Sequence, residues 1–237
     1  MKILALDSTA KTSSVAVLED DSLLGLYSVN IQNTHSETLL PMVKSILESL
    51  RLTNDDIDAY AVSEGPGSFT GVRIGVATIK GLAFSRNKPC IGVSTIEALK
   101  ENLEGFEGVI CPIMNARRGQ VYTGAFLNGV RFIDDCCMML DDLIPMLEEK
   151  CEDIYFVGDG YELILDKKIA KLRHTPEHLR YQNAFSVGKI AYNKLINSEF
   201  VSDIDLRVEY LRKAQAERER EERLGGKINV KKNCDCV

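Results

Sequence analysis

The sequence predicts an α/β fold made of two copies of one unit, each a three-strand meander followed by helix, strand and helix. Three observations predict it. Apolar runs punctuated by turn residues form one meander over residues 3–29 and a second over 109–133. A helix candidate, a strand and another helix candidate follow each. The two later strands share a wording: Asp58-Ala59-Tyr60-Ala61-Val62 precedes Gly65-Pro66-Gly67, and Asp153-Ile154-Tyr155-Phe156-Val157 precedes Gly158-Asp159-Gly160. Self-similarity of this kind marks a duplicated unit. The 237 residues, 45% of them hydrophobic, suffice for two packed lobes. Their expected extents are 1–103 and 104–213, the last segments of the second packing back on the first, with a charged tail at 214–237.

In the first half, strands are expected at 3–7, 13–18 and 23–29, joined by turns at 8–12 and 19–22. The helix candidate at 36–51 carries Leu39, Leu40, Val43, Ile46, Leu47 and Leu50 on one stripe. Thr34 with Glu37 three residues on suggests a capping box, whereas Pro41 requires either a start nearer Thr38 or a kink. The strand at 59–62 then turns through Gly65-Pro66-Gly67 into a second helix over 68–86. That helix is apolar nearly all round, and Gly71 and Gly75, four apart, permit close approach of another helix. In the second half, strands at 109–114 and 121–127 flank a turn at 115–119, and Asn128-Gly129 signals a hairpin into 130–133. The stretch 212–223 mixes five basic and four acidic residues, and 224–237 has no core pattern.

A formal charge of −6 argues against a free-standing nucleic-acid binder, which would show a basic face. The first apolar run is too short for a signal segment and none approaches membrane length, so a cytoplasmic protein is expected. The seven cysteines lack metal-finger spacing and read as reduced and structural; Cys234-Asp235-Cys236 reads either as a metal-holding or reactive pair or, with no other ligand near it, as a free tail. No metal site is expected: His35 stands alone, and Pro176 interrupts the i, i+4 pair His174 and His178.

The least common wording is Ser63-Glu64-Gly65-Pro66-Gly67-Ser68-Phe69-Thr70-Gly71-Val72-Arg73-Ile74-Gly75. A strand running through glycines into a helix can present backbone N–H groups to an anion, but no Gly-Lys-Ser/Thr follows, so this is not a P-loop. Together with Ile3-Leu4-Ala5-Leu6-Asp7-Ser8-Thr9, His35-Ser36-Glu37, Asn115-Ala116-Arg117-Arg118-Gly119-Gln120-Val121-Tyr122 and Glu209-Tyr210-Leu211-Arg212, the segment resembles the TsaB (YeaZ) family over residues 1 to about 213.

The resemblance implies the actin/Hsp70/sugar-kinase (ASKHA) fold, whose plan is two βββαβα lobes. It also implies a non-catalytic subunit that binds TsaD during threonylcarbamoyl transfer to N6 of adenosine 37 in ANN-decoding tRNAs. Further implications are a place for TsaE in the complex, indirect contact with tRNA, and homodimers when TsaD is absent. The partner surface is expected on the two first-lobe helices, at Leu39, Val43, Ile46, Gly71, Val72, Gly75, Val76, Ile79 and Ala83.

That superfold commonly holds ATP between its lobes, so degenerate nucleotide-site candidates are Asp7, Ser8, Thr9 and Asn115, the last without the negative charge that often stands there. Arg117 and Arg118 read either as an anion contact or as solvated turn residues. No cofactor and no catalytic residue is expected. The stretch at 91–98, which corresponds to TsaD's metal-binding His-x-x-x-His, contains no histidine. Two rival readings stand: a small ATP-dependent kinase or hydrolase using Asp7, Ser8, Thr9 and the 65–71 turn, or a homodimeric binding protein outside tRNA modification.

Overall fold

A computed structural model describes residues 1–30, 35–150 and 152–211. The Thr34 cap, Cys151, the charged stretch from Arg212 and the Cys234-Asp235-Cys236 tail lie outside the described residues. In the first lobe, β1 (Lys2–Asp7), β2 (Thr12–Glu19) and β3 (Ser22–Asn30) form the meander. Helix α1 (His35–Leu50), β4 (Ala59–Gly65), α2 (Phe69–Ala83), β5 (Cys90–Ser94) and α3 (Thr95–Glu101) follow. The second lobe repeats the meander in β6 (Val109–Asn115), β7 (Gln120–Leu127) and β8 (Val130–Met139), followed by α4 (Leu140–Glu148), β9 (Ile154–Val157), β10 (Leu172–Arg173) and α5 (Ala184–Ile196).

The sheet orders establish the duplication. One sheet reads β3-β2-β1-β4-β5 and the other, in the same sense, β8-β7-β6-β9-β10. In each, the meander is antiparallel and the fourth strand joins the first in parallel. β1 is buried throughout after Lys2, as expected of a central strand covered on both faces.

Three differences from the sequence expectation have physical causes. Helix α1 starts at His35 and runs through Pro41, whose exposed ring lies on the solvent side. β8 continues six residues past 133, because after an irregularity at Asp134 and Asp135 the residues Cys136 to Met139 pair again with β7. After β9 the chain makes short 3₁₀ turns before α5, which does not cover its own sheet. Val187, Ala191 and Ala184 pack instead on Ile3, Ala5, Ala16 and Leu18 of the first sheet.

Each first-lobe face thus has its own cover. Helices α1 and α2 bury Leu39, Val43, Ile46, Val72, Val76 and Ile79 against Leu4, Leu6, Val15 and Val17. Helix α3 leaves its lobe and inserts Ile96 and Leu99 between Ala10 of the first lobe and Ile110, Phe126 and Val157 of the second. Polar contacts fix that junction. The Asn102 amide donates to the carbonyls of Leu179 (3.0 Å) and Tyr181 (2.8 Å), and its oxygen accepts from Ser186 Oγ at 2.6 Å. Arg131 of β8 pairs with Asp135 and reaches Glu97 of α3 at 3.0 Å, while Ser94 Oγ donates to Asp135 at 2.6 Å.

The segment after α5 returns to the first lobe. Val201 exchanges two backbone hydrogen bonds with Cys90, and Leu206 is buried in the α1–α2 core. The Glu209 amide donates to the Glu64 carbonyl at 2.8 Å, and Tyr210 stacks on Phe69 with its hydroxyl accepting from Arg73 Nε at 2.6 Å.

Candidate functional site

Asp7, Ser8 and Thr9 stand together at the end of β1, on the hairpin that faces the second lobe, and they are buried. Asp7 Oδ1 accepts from the Thr9 amide (2.9 Å) and the Thr9 hydroxyl (2.8 Å), and Oδ2 accepts from Ser63 Oγ at 2.5 Å. Burial pushes the Asp7 carboxyl's pKa up, and the hydrogen bonds from Ser63 and Thr9 pull against it. Both oxygens are therefore engaged inside the first lobe.

The Gly-Pro-Gly motif completes this closure. Added Cβ atoms at Gly67 and Gly71 would come within 2.5 Å of the Thr9 carbonyl and 2.1 Å of the Ser8 carbonyl, so only glycine lets the hairpin seat against the start of α2. Gly75 similarly leaves room for Ser8 Oγ, which donates to the Gly71 carbonyl at 2.9 Å. Gly71 and Gly75 face the cleft hairpin and not a neighbouring helix. At Gly65 the backbone is left-handed, and the close approach is by the Glu209 carbonyl. His35 adds a bolt from α1: Nδ1 lies 2.7 Å from Ser13 Oγ and Nε2 2.7 Å from the Ala10 carbonyl. Sequence reading missed Ser63 and His35 as partners of this hairpin, because each makes its contact across the fold.

On the opposite hairpin, exposed Asn115 accepts from the Arg117 amide at 2.8 Å, making a turn that carries Arg117, Arg118 and Gly119 through the left-handed region. Both arginines are exposed. The residue of this lobe that sequence reading did not single out is Asp159, in the Gly158-Asp159-Gly160 turn. Burial raises its pKa to about 6, the Asn115 backbone and Lys11 lower it, and Asp7 raises it further. Lys11 and Asp7 of the first lobe thus act electrostatically on Asp159 of the second.

The nine residues expected at a partner surface are not exposed in the single chain. Leu39, Val43, Ile46, Gly71, Val72, Gly75, Val76, Ile79 and Ala83 are all buried within the first lobe. Strong apolar periodicity marked the inner stripe, which packs on the lobe's own sheet. The outward faces of α1 and α2 carry different side chains. Between them runs a groove of about 520 Å³ lined by His35, Leu40, Ile74, Ala77, Gly81 and Leu82 among others, with Leu40 53% exposed. On α2 the small residues Ala77, Thr78 and Gly81 lie between Ile74 and Leu82, which would let another helix approach closely.

Among the described residues no helix is long and apolar enough to cross a membrane. Two lobes of matching topology, with α3 and α5 packed across between them, define an actin/Hsp70/sugar-kinase-like α/β protein. A family model described as TsaD, tRNA N6-adenosine threonylcarbamoyltransferase, matches residues 29–219. The chain is 40% identical over 167 residues to the tRNA threonylcarbamoyladenosine biosynthesis protein TsaB of Bacillus subtilis, covering 69% of this chain and 73% of that protein. The TsaB of Haemophilus influenzae is 28% identical over 230 residues, covering 90% and 94%. A crystal structure from Pseudomonas aeruginosa, described as similar to peptidase YeaZ, superposes with a TM-score of 0.74 at 25% identity and covers 89% of this chain and 99% of its own. The chain belongs to the TsaB (YeaZ) family of tRNA threonylcarbamoyladenosine biosynthesis proteins, within the span of the TsaD model.

Proposed function

We propose that this chain is a scaffold subunit without catalysis of its own, which binds TsaD and supports threonylcarbamoyl transfer to N6 of adenosine 37 in ANN-decoding tRNAs. The observation that carries the reading is the division of labour on α2. Its inner face stoppers the hairpin on which the fold usually handles phosphate, so Asp7 is committed to Thr9 and Ser63. Its outer face, with α1, presents an apolar groove free of charged lining. Interfaces of this type exclude charge from their centre. The partner surface is accordingly assigned to Leu40, Ile74, Ala77, Gly81 and Leu82. TsaD takes that surface in the working complex, a second copy takes it otherwise, and TsaE joins the assembled pair. Contact with tRNA is through TsaD, in the cytoplasm. The scaffold acts by favouring one conformation of TsaD, which requires contacts that differ between TsaD's states.

The test is light scattering coupled to size-exclusion chromatography on this protein with its TsaD, for the native chain and for Ala77→Glu. Ala77 is exposed, so the variant keeps its fold while placing a charge in the groove. A 1:1 complex that the variant loses is expected. Undiminished association of Ala77→Glu overturns the surface, and no association of the native chain overturns the partnership.

A further inference from the structure

Several polar atoms at the junction of the lobes are shielded from solvent yet meet no protein group. Thr12 Oγ1, both amide atoms of Gln182 and Asp159 Oδ1 have no hydrogen-bond partner. Thr12 and Gln182 are each 2% exposed. The great majority of buried polar groups in native proteins are hydrogen-bonded to protein or to ordered water.

The chain brings the three residues to one place. Strand β2 and the segment entering α5 run side by side in the same direction: the Ala184 amide donates to Ser14 Oγ at 2.9 Å, and further along Gly188 lies against Leu18. Asn183 is extended. Stepping back two residues on each segment therefore sets Gln182 beside Thr12, on the face of β2 that also carries Ser14. Asp159 comes to the same hairpin from the second lobe. Lys11, the neighbour of Thr12, acts electrostatically on its carboxyl. The adjoining Gly158 amide donates at 2.6 Å to the carbonyl of Arg180, two residues before Gln182.

A hydroxyl, an amide donor, an amide acceptor and a carboxylate oxygen brought to one junction call for a species that both donates and accepts. A metal ion leaves the Gln182 amide nitrogen without an acceptor, and an anion is repelled by Asp159. We propose that this junction is a binding site for ordered water, in which one or a few molecules bridge Thr12 and Gln182 to Asp159 and fasten the second lobe to the first. Internal waters of this kind make about three hydrogen bonds each to groups otherwise left unpaired.

The experiment is a crystal structure of the full chain fine enough to place water, native and as the Thr12→Val, Gln182→Met double variant, with amide hydrogen exchange read at Gly158 and Ala184. Expected in the native protein is a water oxygen at about 2.7–3.2 Å from at least two of the three side chains. In the double variant that density is gone, and exchange at both amides is at least about tenfold faster because the local opening that limits it becomes easier. Direct bonding among the three side chains with no water between them overturns the proposal. So does a metal ion at about 2.0–2.4 Å from the oxygens, or native-like exchange in the folded variant. Should the double variant fail to fold, Thr12→Val alone is read the same way.

Discussion

Asp159 supplies a prediction whose sign is fixed by its surroundings. In the unfolded chain its carboxyl titrates near 3.8, and in the folded protein near 6, chiefly because of burial. Below pH 4 both states carry the proton and folding pays no electrostatic penalty. As pH rises from 4 to 6 the unfolded state ionises first, so stability falls, and above 6 the loss is complete. A displacement of about two pH units at about 1.4 kcal/mol each gives a ceiling of about 3 kcal/mol. Asp159→Asn removes the charge while keeping an oxygen to accept from the Asn115 backbone. The variant is therefore expected to be more stable than the native chain at pH 7, by about 1–3 kcal/mol, with the advantage vanishing near pH 4. Urea unfolding followed by circular dichroism at pH 4, 5, 6 and 7 measures this directly. An advantage that does not vary with pH, or a variant weaker at pH 7, would refute the assignment of a buried, energetically unfavourable carboxylate.

Further outcomes follow from the hairpin and the helices. Gly71→Ala drives a Cβ to 2.1 Å from the Ser8 carbonyl and should cost more than about 3 kcal/mol, in the range of severe backbone clashes. Gly81→Ala meets nothing within 4 Å and should gain about 0.5–1 kcal/mol by the usual helix preference, so thermal melts of the two variants should move in opposite directions. Val76→Glu, at 5% exposure, should prevent folding of the first lobe, whereas Ala77→Glu should stay folded and lose only its partner; circular dichroism of the pair separates core from surface. Leu206→Ala should cost about 2–5 kcal/mol in urea unfolding, because Leu206 fills the α1–α2 core from the returning chain. No Mg²⁺-dependent ATP turnover is expected from the purified chain, and turnover abolished by Asp7→Ala would restore the enzyme reading.

Much of this architecture was legible in the residues. The meanders, the hairpin at Asn128-Gly129 and the repeated fourth strand depend on local patterns that tertiary packing reinforces. The site was less legible, because apolarity tells that a side chain is covered but not by what. Val76 and Ile79 were expected against a partner and lie on the protein's own sheet. Gly71 and Gly75 were expected to admit a helix and instead admit the Ser8 turn. The groove is harder still to see in the sequence, since Ala77, Thr78 and Gly81 are unremarkable apart from their neighbours. Asp159 acquires its raised pKa only when the fold buries it, with Asp7 adding to the rise and Lys11 opposing it.

The return of the chain after α5 also has a meaning for how the protein is made. The first sheet is synthesised by residue 94, yet one of its faces waits for Val187 and Ala191, its α1–α2 core waits for Leu206, and Gly65 waits for the backbone of Glu209. A ribosome emits the chain N-terminus first, and lobes that are self-sufficient can fold as they emerge. Here the first lobe must remain unfinished until nearly all of the second has left the tunnel. Its apolar face then stays open for the time taken to add roughly a hundred residues, about 5–20 s at ordinary elongation rates. Premature termination within the second lobe would release a fragment with that face uncovered, a substrate for chaperones and proteases and not a half-working subunit.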